Sequence, residues 1–187
     1  GAILVLVTGD GPHATLGTGG ARPSWGSVMH AFRVPTFRAA AFGYFGHMWE
    51  LYAFWTLVPY LVAPLVKGAP DAAASFGVIA AGFAGSLAAG RLARRFGSAR
   101  VAAAALAASG TMCVLYPFTD TWPAYVRLAL LVFWGTAVVA DSAQFSNISS
   151  QTCPPHLIGS ALAAQNAIGF AISIFSISLV TQLFGAE

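Results

Sequence analysis

Long apolar runs separated by short charged clusters dominate the chain. A spanning helix needs about 20 mostly apolar residues, and five stretches meet that length: residues 38–64, 73–93, 101–118, 124–147 and 158–184. The pattern predicts an all-α membrane protein. Pro59 and Pro64 are expected to kink or end the first span. In the second, Ala81, Gly85 and Ala89 form one small-residue row and Gly82, Ser86 and Gly90 a second, and such rows permit close helix packing in lipid.

Before the first span, residues 8–23 are rich in Gly, Thr and Pro and read as a flexible linker. Trp25, Val28, Met29 and Phe32 then recur at helical spacing. They predict a short amphipathic helix over 24–33, lying either on the membrane surface or against the protein itself. Residues 1–7 (GAILVLV) read as the end of an apolar helix. No basic region or cleavage site precedes them, so they do not read as a signal peptide, and the chain reads as a fragment of a longer protein.

Composition narrows the class. The sequence is 57% hydrophobic and 8% charged, whereas soluble domains carry about 25% charged residues. The net charge of +3 matters less than its placement, and no nucleic-acid partner is implied. Arg22, Arg33 and Arg38 precede the first full span, and Arg91, Arg94, Arg95 and Arg100 join the second and third. The opposite side holds Lys67 and Arg127 against Asp71 and Asp120. The positive-inside rule therefore puts the arginine-rich loops in the cytoplasm. Cys113 and Cys153 lie in unlike settings, which suggests no disulfide.

Only two acidic residues fall well inside spans. Glu50 lies about 18 Å along its helix from Arg38, near the bilayer centre, and Asp141 about 25 Å from Ala124, in the cytoplasmic half. A charge at mid-membrane costs on the order of 3 kcal/mol, so such residues are paired, protonated or turned to a cavity. His47 and Glu50 share a helix face with Tyr44 and Phe54. The functional reading is a proton site centred on Glu50; the plain alternative is an interhelical hydrogen bond that fixes packing. On the fourth span Trp134, Val138, Asp141, Gln144 and Phe145 share a face, and Asp141 reads equally as a cavity residue or as a brace to a loop arginine. On the fifth, Gln165, Gly169, Ser173 and Ser176 form a small or polar stripe with Asn166 beside it, suited to a pathway or to close packing.

The loop GRLARRFGSAR, Gly90 to Arg100, resembles the cytoplasmic motif Gly-x-Leu-Ala-Asp-Arg-x-Gly of the major facilitator superfamily. Gly90, Leu92, Ala93, Arg95, Gly97 and Arg100 fit, and Arg94 replaces the acidic residue. The stretches GYFGHMWELYAFW and Val138–Phe170 are similar to a prokaryotic branch grouped with cyanate and nitrate/nitrite permeases. Pro154, Pro155 and Gly159 match the turn between the tenth and eleventh helices. The resemblance implies the C-terminal helical bundle, with spans seven to eleven present and the twelfth missing. Residues 1–7 would end the sixth helix, 8–36 form the central cytoplasmic linker, and 37–187 the partial bundle.

It further implies a secondary active transporter in a prokaryotic inner membrane, moving a small-molecule substrate by alternating access with proton coupling. The N-terminal half of the same polypeptide would be its partner, together with the lipid bilayer. The family's seventh and tenth helices line the cavity and would be those carrying Glu50 and Asp141; the ninth would be peripheral. No cofactor or metal is expected. The rivals are an intramembrane metal-dependent hydrolase using His47, Glu50 and Asp141, against which the chain lacks HExxH, and a non-transporting or truncated membrane protein.

Overall fold

The computed structural model describes residues 25–66 and 71–184; the apolar segment 1–7 and the linker 8–23 lie outside them. The described chain is helical and contains no strand. In order come α1 (Trp25–Ala31), α2 (Pro35–Val62), α3 (Asp71–Phe96), α4 (Ser98–Leu115), a 3-10 turn (Tyr116–Thr119), α5 (Ala124–Ala140), α6 (Ser142–Thr152), a second 3-10 turn (Pro155–Leu157) and α7 (Ile158–Phe184).

Four stretches are long and apolar enough to cross a membrane: Asp71–Phe96, Ser98–Thr119, Ala124–Thr152 and Pro155–Phe184. This is the pattern of a multi-pass integral membrane protein. Their outer faces carry Phe76, Phe83, Phe118, Tyr125 and Phe175, each at least 70 % exposed, a surface that water would not support. The expected first span, α2, is a 28-residue helix but is not among the four. Arg38, Gly43, His47, Glu50 and Pro59, with several Tyr and Trp, dilute its apolar character.

Contacts fix the helix directions. Phe37 and Ala41 of α2 cluster with Ala161 of α7. Further along, Tyr44 and Met48 sit against Gly169, the Ser176 hydroxyl donates to the Trp49 carbonyl at 2.7 Å, and Tyr60 stacks near Phe184. The two helices therefore run parallel. Likewise α4 runs parallel to α2, since Ala102 clusters with Tyr44 and Met48 while Met112 and Tyr116 cluster with Phe54 and Val58. Against these, α5 runs antiparallel to α2: Phe54 stacks on Trp134 with ring centroids 4.8 Å apart, and Phe145 of the following α6 clusters with Tyr44. The helices alternate in direction along the chain.

The closest packing joins α3 to α5. A Cβ placed on Gly82, Gly85 or Gly135 would collide with the side chain of Val139, the backbone of Thr136 or the backbone of Val78. Glycine is thus what lets the two backbones touch. The buried face of α3 is Val78, Gly82, Gly85 and Ala89, drawing on both small-residue rows. A single residue, Gly97 at φ 85°, joins α3 to α4; glycine alone takes that conformation without cost.

Of the two prolines expected to kink or end the first span, Pro59 lies inside α2, which runs on to Val62, two residues before Pro64, and closes with the Ala63 amide on the Pro59 carbonyl at 3.0 Å. The fourth span, Ala124–Thr152, is irregular at Asp141 and divides there into α5 and α6. The hydrogen-bond ladder is interrupted for one residue, although the backbone stays helical at φ -87° and ψ -15°. The amides of Gln144 and Phe145 turn back to the Asp141 carbonyl at 2.9 and 3.1 Å, and Ser86 of α3 donates to the Val139 carbonyl at 3.5 Å. A side-chain hydroxyl so positioned satisfies backbone released by a break in a spanning helix. The short α1 packs on the protein, with Ala31 and Phe32 against Phe37, Cys153, Leu157 and Ala161, while Met29 points away.

Candidate functional site

The break at Asp141 faces His47, and a polar cluster assembles there. Asp141 is held at the junction of α5 and α6 by the face that also buries Trp134, Val138, Gln144 and Phe145. His47 projects from the middle of α2. Its Nδ1 lies 2.8 Å from Asp141 Oδ1, and both side chains are 2 % exposed. The approach is off the line of an N–H donor, so neither atom counts as hydrogen-bonded. The other ring nitrogen, Nε2, lies 2.8 Å from the Ser142 hydroxyl. Ser142, His47 and Asp141 thus form a closed chain across two elements. The expected alternative, an Asp141 brace to a loop arginine, is replaced by this histidine partner.

Glu50 extends the cluster toward α4. Its Oε1 accepts from the Ser109 hydroxyl and lies 4.0 Å from the Cys113 sulfur. The Trp134 indole N–H, without a hydrogen-bond partner, lies toward the same carboxylate. Glu50 is half-buried while His47 and Asp141 are closed in, so it is the member nearest the surface of the bundle. Its partner Ser109 belongs to the span expected to be peripheral. At ~1.5 Å per residue Glu50 lies about 22 Å into a helix of about 42 Å, near its midpoint.

The remaining candidates divide. Tyr44 is buried on α2 beside His47, ring centroids 6.2 Å apart. Gln144 is buried on α6. Gln165 is fully buried on α7, with neither side-chain oxygen nor nitrogen hydrogen-bonded. Its stripe partners Gly169 and Ser176 contact α2 directly, so that stripe is a packing face. Asn166 is exposed on another face of α7 and does not join the cluster. In the loop motif Gly90 is half-buried, whereas Arg94, Arg95, Gly97 and Arg100 are exposed; Arg95 lies over the Phe96 ring at 5.2 Å.

Among the described residues no group of three or more His, Cys, Asp or Glu side chains is placed to hold a metal ion. Sequence reasoning missed Ser109 and Ser142. A serine in an alanine-rich helix carries no signal by itself, but a span holding an acidic residue demands a donor, and Ser109 is one of the few on α4. No protein-family model, curated protein or solved structure matches the chain.

Proposed function

We propose that the chain is part of a proton-coupled secondary active transporter that moves a small solute by alternating access. The observation carrying this reading is the buried His47–Asp141 pair at a break in a spanning helix, with Glu50 at its edge. Ionisable side chains at membrane depth are costly to bury, and such groups are retained where protons or ions are handled. Interrupted helices at mid-membrane are the usual site of substrate and ion binding in such carriers. In this reading α2 is the fifth span, its polar residues satisfied from within, and the arginine-rich ends face the cytoplasm. The resemblance of Gly90–Arg100 to the major facilitator motif supports the same reading, which places the chain in the C-terminal half, in a prokaryotic inner membrane.

Glu50 accepts a proton from the accessible side, and the His47–Asp141 pair changes its charge state with it. The test is reconstitution of the native polypeptide in vesicles loaded with a pH-sensitive dye, challenged with a panel of small solutes. A solute that drives internal pH change in wild type and none in Glu50→Gln supports the reading. Solute-driven pH change of equal size in both removes Glu50 from the mechanism.

One observation favours a second reading. The order of Ser142 Oγ, His47 Nε2 2.8 Å from it, and Asp141 Oδ1 close to His47 Nδ1 but not aligned for a hydrogen bond follows that of a nucleophile, a base and an orienting carboxylate. A serine hydrolase built on it would label at Ser142 with a fluorophosphonate, whereas the transport reading predicts no labelling.

A further inference from the structure

Beyond the polar cluster, the outer surface of the bundle contains a trough of about 530 Å³ between α3, α4 and α5. Three helix faces meet there: Ala88 and Leu92 from α3, Ala104 and Ala108 from α4, Phe133 and Ala140 from α5. On each helix the lining positions recur at the three- and four-residue spacing of a single face. Between Phe96 and Phe133, alanines dominate the lining and leave a slot that none of the three helices fills. The α4 side, from Val101 to Ala108, is about 10 Å long at ~1.5 Å per residue and runs along the helix axis.

One end of the slot is charged. Arg100 belongs to its lining, and Arg91, Arg94 and Arg95 stand at the same end of α3. Arg100 forms no ion pair with a described residue. Among the described residues the acids of the loops, Asp71 and Asp120, are at the opposite end of the bundle. An apolar slot that opens into unopposed guanidinium groups matches a molecule with a hydrocarbon tail and an anionic head. Guanidinium pairs with phosphate through two parallel N–H donors, and basic pockets between spanning helices hold anionic lipid head groups.

We propose that this trough is a binding site for an anionic phospholipid, with one acyl chain along Ala104 and Ala108 and the phosphate at Arg100. It is separate from the His47–Asp141 cluster and does not depend on the transport reading. The occupant's charge is set by Arg100 and its chain by the alanines, so the two halves of the proposal can be tested apart.

The experiment is native mass spectrometry of the detergent-purified protein titrated with phosphatidylglycerol or phosphatidylcholine of matched acyl chains. Wild type is expected to retain phosphatidylglycerol about fivefold better, the size of one arginine's contribution at a membrane surface. Arg100→Gln is expected to lose that preference while still retaining lipid. Ala104→Phe, at an exposed position, is expected to fill the slot and lose both lipids. The same change at Ala107, exposed on another face of α4, is expected to leave retention intact. Equal retention of the two lipids by wild type overturns the head-group assignment. Unchanged retention in Ala104→Phe overturns the site, as does an effect of Ala104→Phe on self-association alone, which would assign the slot to protein.

Discussion

His47 Nδ1 and Asp141 Oδ1 stand 2.8 Å apart with almost no exposure, joining the middle of α2 to the break between α5 and α6. Removing one partner of a buried pair strands the other, at a cost of about 3–5 kcal/mol, whereas replacing both with apolar groups is often tolerated. His47→Leu and Asp141→Leu are each expected to lower thermal stability in detergent, and the double substitution to recover part of the loss. Additive losses in this double-mutant cycle would mean that the two side chains do not act as a pair.

The α3–α5 contact makes a second prediction. Gly85→Val puts side-chain atoms into the Thr136 backbone, which cannot move aside without parting the helices. Gly90, eight or so ångströms further along α3 at ~1.5 Å per residue, has open space around it. Gly85→Val is expected to lower the unfolding temperature strongly and Gly90→Ala to hold or raise it, since alanine is favoured over glycine in a helix by about 0.5–1 kcal/mol. Similar behaviour of the two would contradict the backbone contact.

Gly97 adopts φ 85° with no neighbour near its Cα, so only conformation opposes a side chain there. Its ψ of 146° puts it outside the left-handed helical region that asparagine tolerates and in one essentially restricted to glycine, so Gly97→Ala and Gly97→Asn are each expected to cost about 1–3 kcal/mol. An unfolding temperature unchanged by both would contradict this backbone conformation.

The two cysteines report on water at the site. Cys153 is buried, and that burial pushes its thiol up, so little thiolate forms and reaction is slow. Cys113 is exposed and lies beside Glu50. If the transport reading holds, water reaches Glu50 and a charged methanethiosulfonate modifies Cys113 in the membrane-embedded protein. Modification by neutral N-ethylmaleimide alone would place Cys113 in lipid and count against a wet route to Glu50.

A last prediction concerns the polypeptide as made. The transporter reading needs two helical halves, so the native product is expected to have about twice the 19.3 kDa of this chain. An intact mass near 19.3 kDa would leave the cavity to be built by two copies or not at all.

The helices were legible because each long apolar run has only one way to satisfy its backbone in lipid. The shared face of Trp134, Val138, Asp141, Gln144 and Phe145 was legible from spacing alone, and all five are buried together. The break at Asp141 was not. Ala140-Asp141-Ser142 contains neither proline nor glycine, and the cause is tertiary: Asp141 turns to His47, and Ser86 accommodates the Val139 carbonyl. Spacing placed His47 and Glu50 on one face of α2 and left an interhelical hydrogen bond as one reading of the pair; neighbours on one helix point outward side by side, and each finds its closest polar contact on another element.

The break has a further consequence. Up to Ala140 the rod is locked to α3 through Gly82, Gly85 and Gly135; from Ser142 onward its main neighbours are α2 and α4, with the Phe145 ring pressed on Gly43. One residue therefore separates two packing environments along a single span. The same residue carries the carboxylate that faces His47, so a substitution at Asp141 acts on the helix junction and on the polar cluster at once.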